Sequence, residues 1–420
     1  MKKRIAMFLL IALLLPGILF AVGQEEEKEV VLTWNTIWLE PDSKAATVAA
    51  LVEEFNAEYA GKYKVEMEGT VDYDGYRDKL NTQMASGVVP DLFVFSPSPT
   101  EFAFYQGKNL LMDFGDELAG SWGNNYVSGA IEGATIDGMT KSVPFEIAIT
   151  PIWYNESLFT KAGVRAFPKT MDDLWKAADK LKAAGIIPTS QMTGGTNAWT
   201  SMLWFSHIAA SIGGAAVWDK PITDPVFVKA AEILLRMYSD GNTSKDAIGG
   251  DAGVSGGHYL AGRSAMFING PWYIGRVRDQ APEVYRNTGV ASIPPAGNYP
   301  GGQIGFPLSN LAAAYTDDPA KKEAVIAFMK WITKPEHVKR ISMDAGSLFC
   351  IKYAMTDADV IDPLQKKFIE AASGATFLTD HFAANYESDV IAEFGQALAK
   401  MALGKATPEE FVQQIAALVE

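Results

Sequence analysis

Ten tryptophans stand in this 420-residue chain, and three of them sit at turns: Trp38 after "VVLTWN", Trp199 after "GGTN", and Trp272 in "MFINGPWYIG". An indole offers a flat apolar face and one N–H donor, which matches the C–H face of a pyranose ring rimmed by hydroxyls. Trp153, Trp175, Trp204, Trp218 and Trp331 fall inside helical or strand patterns instead. They read as core residues, because Trp is highly buried on average. Trp272 is the sharpest case: an apolar run stops at Asn269, Gly270 turns the chain and Pro271 follows. Proline is favoured at the first helical position, so Trp272 is expected in the first turn, beside amides that carry no intrahelical acceptor.

Motifs for catalysis are sparse. "GVSGG" (253–257) matches G-x-S-x-G around Ser255, but a nucleophile elbow needs an apolar strand immediately before it. Here "SKDAIGGDA" precedes, which reads as a glycine-rich loop at a helix start. The four histidines, His207, His258, His337 and His381, show no H-E-x-x-H and no close pair, so no catalytic residue or metal site is expected. Neither G-x-G-x-x-G nor G-x-x-x-x-G-K-[ST] occurs, and no cofactor is expected. Carboxylates are plentiful enough to form an acid–base pair of the glycosidase type. Glu146 and Asp380 are the pair such an enzyme would use, and their separation is not legible from sequence.

The elements that must position these residues are of α/β type. "VVLTWN" (30–35) reads as a strand, and Val48, Leu51, Val52, Phe55 and Tyr59 then share one helical face. "KVEMEG" (64–69) is a second strand, Tyr76, Leu80 and Met84 mark a second helix ending at Gly87, and "PDLFVF" (90–95) is a third strand. This alternation predicts a doubly wound unit with a parallel sheet, whose ligands bind at the carboxyl ends of the strands. That rule selects the loops 36–42 and 96–99. In residues 137–159 an Asp-Gly turn leads into a β-branched passage broken by Pro144 and Pro151. Two prolines in one ladder are unfavourable, so this passage reads as a crossover between lobes. A second α/β set follows, with helices at 170–184, 198–211, 225–239 and 256–261 and strands at 264–269 and 289–294. Residues 301–316 read as the return crossover, and helices are expected at 319–333, 335–344, 386–402 and 407–419.

The N-terminus carries Lys2, Lys3 and Arg4, an apolar run from Ile5 to Leu15, then Pro16, Gly17 and small residues at Ala21 and Gly23. This reads as a cleaved signal peptide over 1–23, too short to span a membrane. Its removal moves the formal charge from -14 to -17. An acidic surface argues against nucleic acid and anionic lipid as partners. The single cysteine, Cys350, excludes an internal disulfide, so stability rests on core burial. No cysteine near residue 23 offers a lipobox, and a periplasmic or extracellular location is expected.

Taken in order, "ALVEEFNAEY", "YRDKLNTQMASGVVPDLFVF", "SVPFEIAITPIWYNESLF", "FPKTMDDLWKAADKLKAAGIIP", "AGRSAMFINGPWYIG" and "KKEAVIAFMKWITKPEH" resemble the extracellular solute-binding proteins of family 1, the maltodextrin-binding-like receptors of ABC sugar importers. The resemblance covers nearly the whole chain after residue 23. It implies a two-lobed periplasmic-binding-protein fold, each lobe a mostly parallel sheet flanked by helices, joined by a multi-stranded hinge. On that scheme residues 24–143 form lobe 1 with 308–345 returning to it, and 144–307 form lobe 2 with 346–420 returning to it. The implied protein is a monomer without enzymatic activity, taking a mono- or oligosaccharide in the interlobe cleft and delivering it to the permease subunits. The positions matching ligand-contacting segments of the family are Trp38, Glu40, Ser96, Phe145, Glu146, Trp199, Trp272, Gly305, Phe306, Asp380 and His381. Leu378 and Thr379 depart from the aromatics common there, which bears on the size of the sugar. The rival readings are a secreted glycoside hydrolase using Glu146 and Asp380, and a binding protein for a non-sugar solute. A charged solute would call for a buried Arg or several convergent carboxylates, and the loops named contain no basic residue.

Overall fold

The computed structural model describes residues 28–40, 42–70, 73–97, 110–195 and 197–419. The expected signal peptide, and Ser98 and Pro99 of the second candidate loop, lie outside the described residues.

The N-terminal alternation folds as its pattern predicts. Strand β1 (Val30–Thr36) is flanked by two parallel neighbours, β2 (Tyr63–Gly69) and β3 (Leu92–Phe95). The helix Ala45–Glu58 buries Val48, Leu51, Val52 and Phe55 against them. Each such side chain contributes roughly 1.5–3 kcal/mol on burial. Strand β4 (Val143–Ile149) then joins this same sheet, whereas β5 (Ile152–Asn155), three residues on, belongs to another. Pro151 lies between them, where no ladder bond is needed, and a register shift follows Pro144. The prolines thus mark a change of sheet and a bulge.

The second sheet is completed by β6 (Ile187–Thr189), β7 (Ser264–Ile268) and β8 (Thr288–Ala291), in the order β6-β7-β5-β8. The chain returns through β9 (Gln303–Ala313), which pairs antiparallel with both β3 and β4. With β10 (Leu348–Phe349) and β11 (Leu378–Thr379), the first sheet has seven strands, in the order β10-β4-β9-β3-β1-β2 with β11 beside β9. Both sheets are therefore mixed, not mostly parallel as expected. β4 and β9 are the connecting strands: β4 leaves the first sheet for the second, and β9 returns from it, running antiparallel to both β3 and β4.

Two main cores result. Leu51, Phe55, Phe328 and Ile341 belong to the first, and Leu203, Phe227, Phe394 and Phe411 to the second. Cys350 and Ile351 pack in the first core, on the far side of a boundary expected at 346. Helix Pro363–Ser373 places Leu364 and Phe368 against Trp153 and Phe267 of the second sheet. Thr170 accepts the Asp173 amide at 3.1 Å to cap Met171–Ala183, and Asp224 caps Pro225–Ser239 through the Val226 amide at 2.9 Å. Helices Ser388–Ala402 and Pro408–Ala416 close the second lobe.

Candidate ligand-binding site

The sequence-derived site residues separate into two groups. On the second lobe, four of them meet. Trp199 opens the helix Trp199–Gly213, Trp272 lies in a 3-10 turn (Pro271–Tyr273) after β7, Phe306 is on β9, and His381 follows β11. The Trp199 ring centroid is 6.1 Å from that of Trp272, 6.3 Å from Phe306 and 5.2 Å from His381, and Phe306 and His381 are 4.3 Å apart. Both indoles are half-buried, so each keeps part of its surface accessible. Ala198 at the start of the Trp199 helix has φ +45, a left-handed conformation that costs an L-residue roughly 1–2 kcal/mol. Strain of this kind concentrates at binding sites, where surrounding structure over-determines it.

The segment carrying Asp380 and His381 is pinned from several sides. Thr379 donates to the Ala215 carbonyl at 2.8 Å, Trp218 Nε1 donates to the Asp380 carbonyl at 2.6 Å, and the Phe382 amide donates to Ser206 Oγ at 3.0 Å. His381 Nδ1 accepts the Ala384 amide at 3.1 Å, and burial holds the imidazole down at about 3, so the ring is neutral with its proton on Nε2. Asp380 does not cap the following helix, whose N-cap is Glu387. Its Oδ1 is buried with no hydrogen-bond partner, and burial pushes the carboxyl up to about 6. A buried acceptor left unpaired costs free energy that a donor from a ligand recovers. Gly305, half-buried, precedes Phe306 on β9.

The first-lobe residues behave differently. Trp38 and Phe145 are fully buried, 5.2 Å apart in the first core, with Trp34 packed on one and Phe349 on the other. Neither ring, expected to contact ligand, has an accessible face here. Glu146 is buried as well. Its carboxylate lies 3.4 Å from Lys44 Nζ and accepts from Ser309 Oγ at 2.9 Å. Burial pulls the Lys44 ammonium down, but Asp42, 3.5 Å away, and Glu146 outweigh it, so its pKa is raised. A carboxylate engaged in this way is not a free acid or base, and the Glu146–Asp380 hydrolase reading loses its first member. Glu40 is exposed, and Ser96 is half-buried at the end of β3.

Sequence reasoning missed Lys44 and Ser43. Lys44 lies beneath the Trp38 ring at 5.7 Å, and Ser43 Oγ donates to the Trp272 carbonyl at 3.2 Å. Both sit just past the loop 36–42, where the strand-end rule pointed, so that loop was bounded two residues short. Ser255 lies inside the helix Ala252–Leu260, not at a strand-to-helix turn. Among the described residues no cluster of His, Cys, Asp or Glu could hold a metal ion, and no helix is long and apolar enough to cross a membrane.

Two lobes linked by strands that leave one sheet for the other, with an aromatic cluster beside those strands, define a binding protein of the two-lobed class. The chain belongs to the bacterial extracellular solute-binding protein family, whose model matches residues 40–339. An uncharacterized ABC transporter extracellular-binding protein of Pyrococcus horikoshii is 26% identical over 84% of this chain and 77% of its own length. A maltotriose-binding protein of Pyrococcus abyssi is 24% identical over 70% of this chain and 62% of its own. Among solved structures, a chitin oligosaccharide binding protein superposes with a TM-score of 0.84 at 23% identity, covering 93% of this chain and 98% of that one. The family comprises substrate-binding components of ABC importers, not enzymes.

Proposed function

We propose that this protein is the sugar receptor of an ABC importer, capturing a mono- or oligosaccharide between its lobes and delivering it to the permease subunits in the membrane. The observation that carries the reading is the cluster of Trp199, Trp272, Phe306 and His381. Two half-exposed indoles supply stacking faces for pyranose rings, and the unpartnered carboxylate oxygen of neighbouring Asp380 supplies an acceptor for a hydroxyl. The names of the relatives, which include receptors for maltotriose and chitin oligosaccharides, support the same ligand class. This reading assigns to the cleft Gly305, near the start of β9, Ser96, just past β3, and Glu40, in the loop after β1. Trp38, Phe145, Glu146 and Lys44 form the wall behind it. The receptor acts as an exported monomer without cofactor, metal or nucleic acid, with residues 1–23 removed on export, and closes on its ligand by bending at the crossover strands.

Thermal melting of the chain from residue 24, against maltotriose, chito-oligosaccharides and other neutral glycans, tests the reading. A ligand at 100 times its dissociation constant adds roughly 2.7 kcal/mol of stability. A clear upward shift with at least one sugar is expected. No shift with any sugar, together with a shift on adding amino acids or polyamines, would sink it.

A further inference from the structure

The turn before Trp272 contains a glycine whose role is not explained by its backbone. Gly270 has φ -95 and ψ 178, values any residue adopts. What is unusual is the space beside it. A Cβ built at position 270 would overlap the six-membered ring of the Trp272 indole, at Cζ3, Cη2 and Cε3. The indole therefore folds back over the Gly270 Cα and occupies the volume that any other side chain would take.

Other contacts leave Trp272 little alternative. Pro271 fixes the backbone angle just before it. The Trp272 carbonyl is held by Ser43 Oγ from the first lobe at 3.2 Å. That approach is close because Gly275, one turn on, lacks a Cβ, which would stand 2.7 Å from Ser43 Cβ. Trp199 covers the indole at an interplanar angle of 48°. The backbone is thus anchored at both ends of the turn, and ring orientation is left to side-chain torsions alone. A methyl at position 270 would force the indole out of its place and change the face that it presents beside Trp199.

We infer that Gly270 is a positioning residue for the ligand platform: the missing side chain at 270 seats the Trp272 indole at its angle to Trp199. The inference rests on the sugar-receptor reading of this site. It assigns Gly270 no contact with ligand, only control of the ring that makes one.

A double-mutant cycle on the mature chain tests it. The probe is whichever of maltotriose and a chito-oligosaccharide the wild-type chain binds, measured by calorimetry with Gly270→Ala, Trp272→Ala and the double variant. Gly270→Ala is expected to weaken binding about tenfold, as for loss of an aromatic contact. In the Trp272→Ala background the same change is expected to alter affinity less than about twofold, because the ring it would displace is gone. Near-ultraviolet circular dichroism gives a readout without ligand: both single variants should lose the same Trp199–Trp272 coupling signal. Wild-type affinity in Gly270→Ala, or losses that multiply in the double variant, would overturn the inference. Should Gly270→Ala fail to fold, the double variant must fold and melt like Trp272→Ala; its failure too would place the role of Gly270 in the backbone and end the proposal. A wild-type chain that binds neither sugar breaks the receptor reading instead, so the two failures are told apart.

Discussion

Trp38 and Trp272 occupy matching places in their lobes, each just past the end of a strand and just ahead of a helix. Their environments are opposite. Trp38 is fully enclosed by Trp34, Phe145 and the aliphatic residues of the first core, whereas Trp272 is half-buried beside Trp199 with a face left open. The difference comes from what the neighbouring connection brings. In the first lobe, β4 enters the sheet as a connecting strand and lays Phe145 over Trp38. In the second, Gly270 leaves room for the indole to lie along its own turn. One kind of sequence signal thus yields an enclosed indole in one lobe and a half-buried one in the other.

The largest expected effect is on the wall. Trp38→Ala should cost about 3–5 kcal/mol of unliganded stability, the range for deleting a buried aromatic, read from urea denaturation. A loss confined to sugar affinity would show that Trp38 faces the cleft and erase the contrast. Next comes the ion pair behind it. Lys44→Met leaves the Glu146 carboxylate buried beside Asp42 without its cation, which costs about 3 kcal/mol or more, again measured by denaturation. A variant as stable as wild type would mean that Glu146 is hydrated or protonated.

The platform should respond in the other coordinate. Trp272→Ala is expected to lose more than about 1 kcal/mol of sugar affinity with little change in unliganded melting. An equal loss of unliganded stability would make Trp272 a core residue like Trp38.

The smallest effect concerns Asp380. Its carboxyl is raised by burial to about 6, from an ordinary value of 3.8. A raised folded pKa means that the native state binds the proton more tightly than the unfolded chain does. The associated stability is then fully present below about pH 4 and lost as pH rises through 6. Asp380→Asn removes this dependence, so melting curves of variant and wild type should diverge between pH 4 and 7, with the variant higher at neutral pH. Parallel curves would show that Asp380 is solvated.

Element types were largely legible before any coordinates. The periodicity of Val48, Leu51, Val52 and Phe55 and Pro151 at the change of sheet are local signals, and local signals survive into the fold. The site was legible in part. Trp199, Trp272, Phe306 and His381 do meet, though they come from four separate segments. The burial of Trp38 and Phe145 was not legible, because a tryptophan after a strand looks the same whether or not another strand will cover it. The ion pair of Glu146 is with Lys44, about 100 residues earlier in the chain, a partner that no local pattern points to.

By itself the sequence determined the main alternation of strands and helices, a crossover at the two prolines Pro144 and Pro151, and the presence of indoles at turns. These follow from side-chain volume, branching and backbone restriction over a few residues. Only the tertiary structure decided which indole keeps an open face, which carboxylate is paired and which is left without a partner. Exposure and pairing depend on segments hundreds of residues apart, and burial is a property of the neighbours that arrive, not of the residue that waits for them.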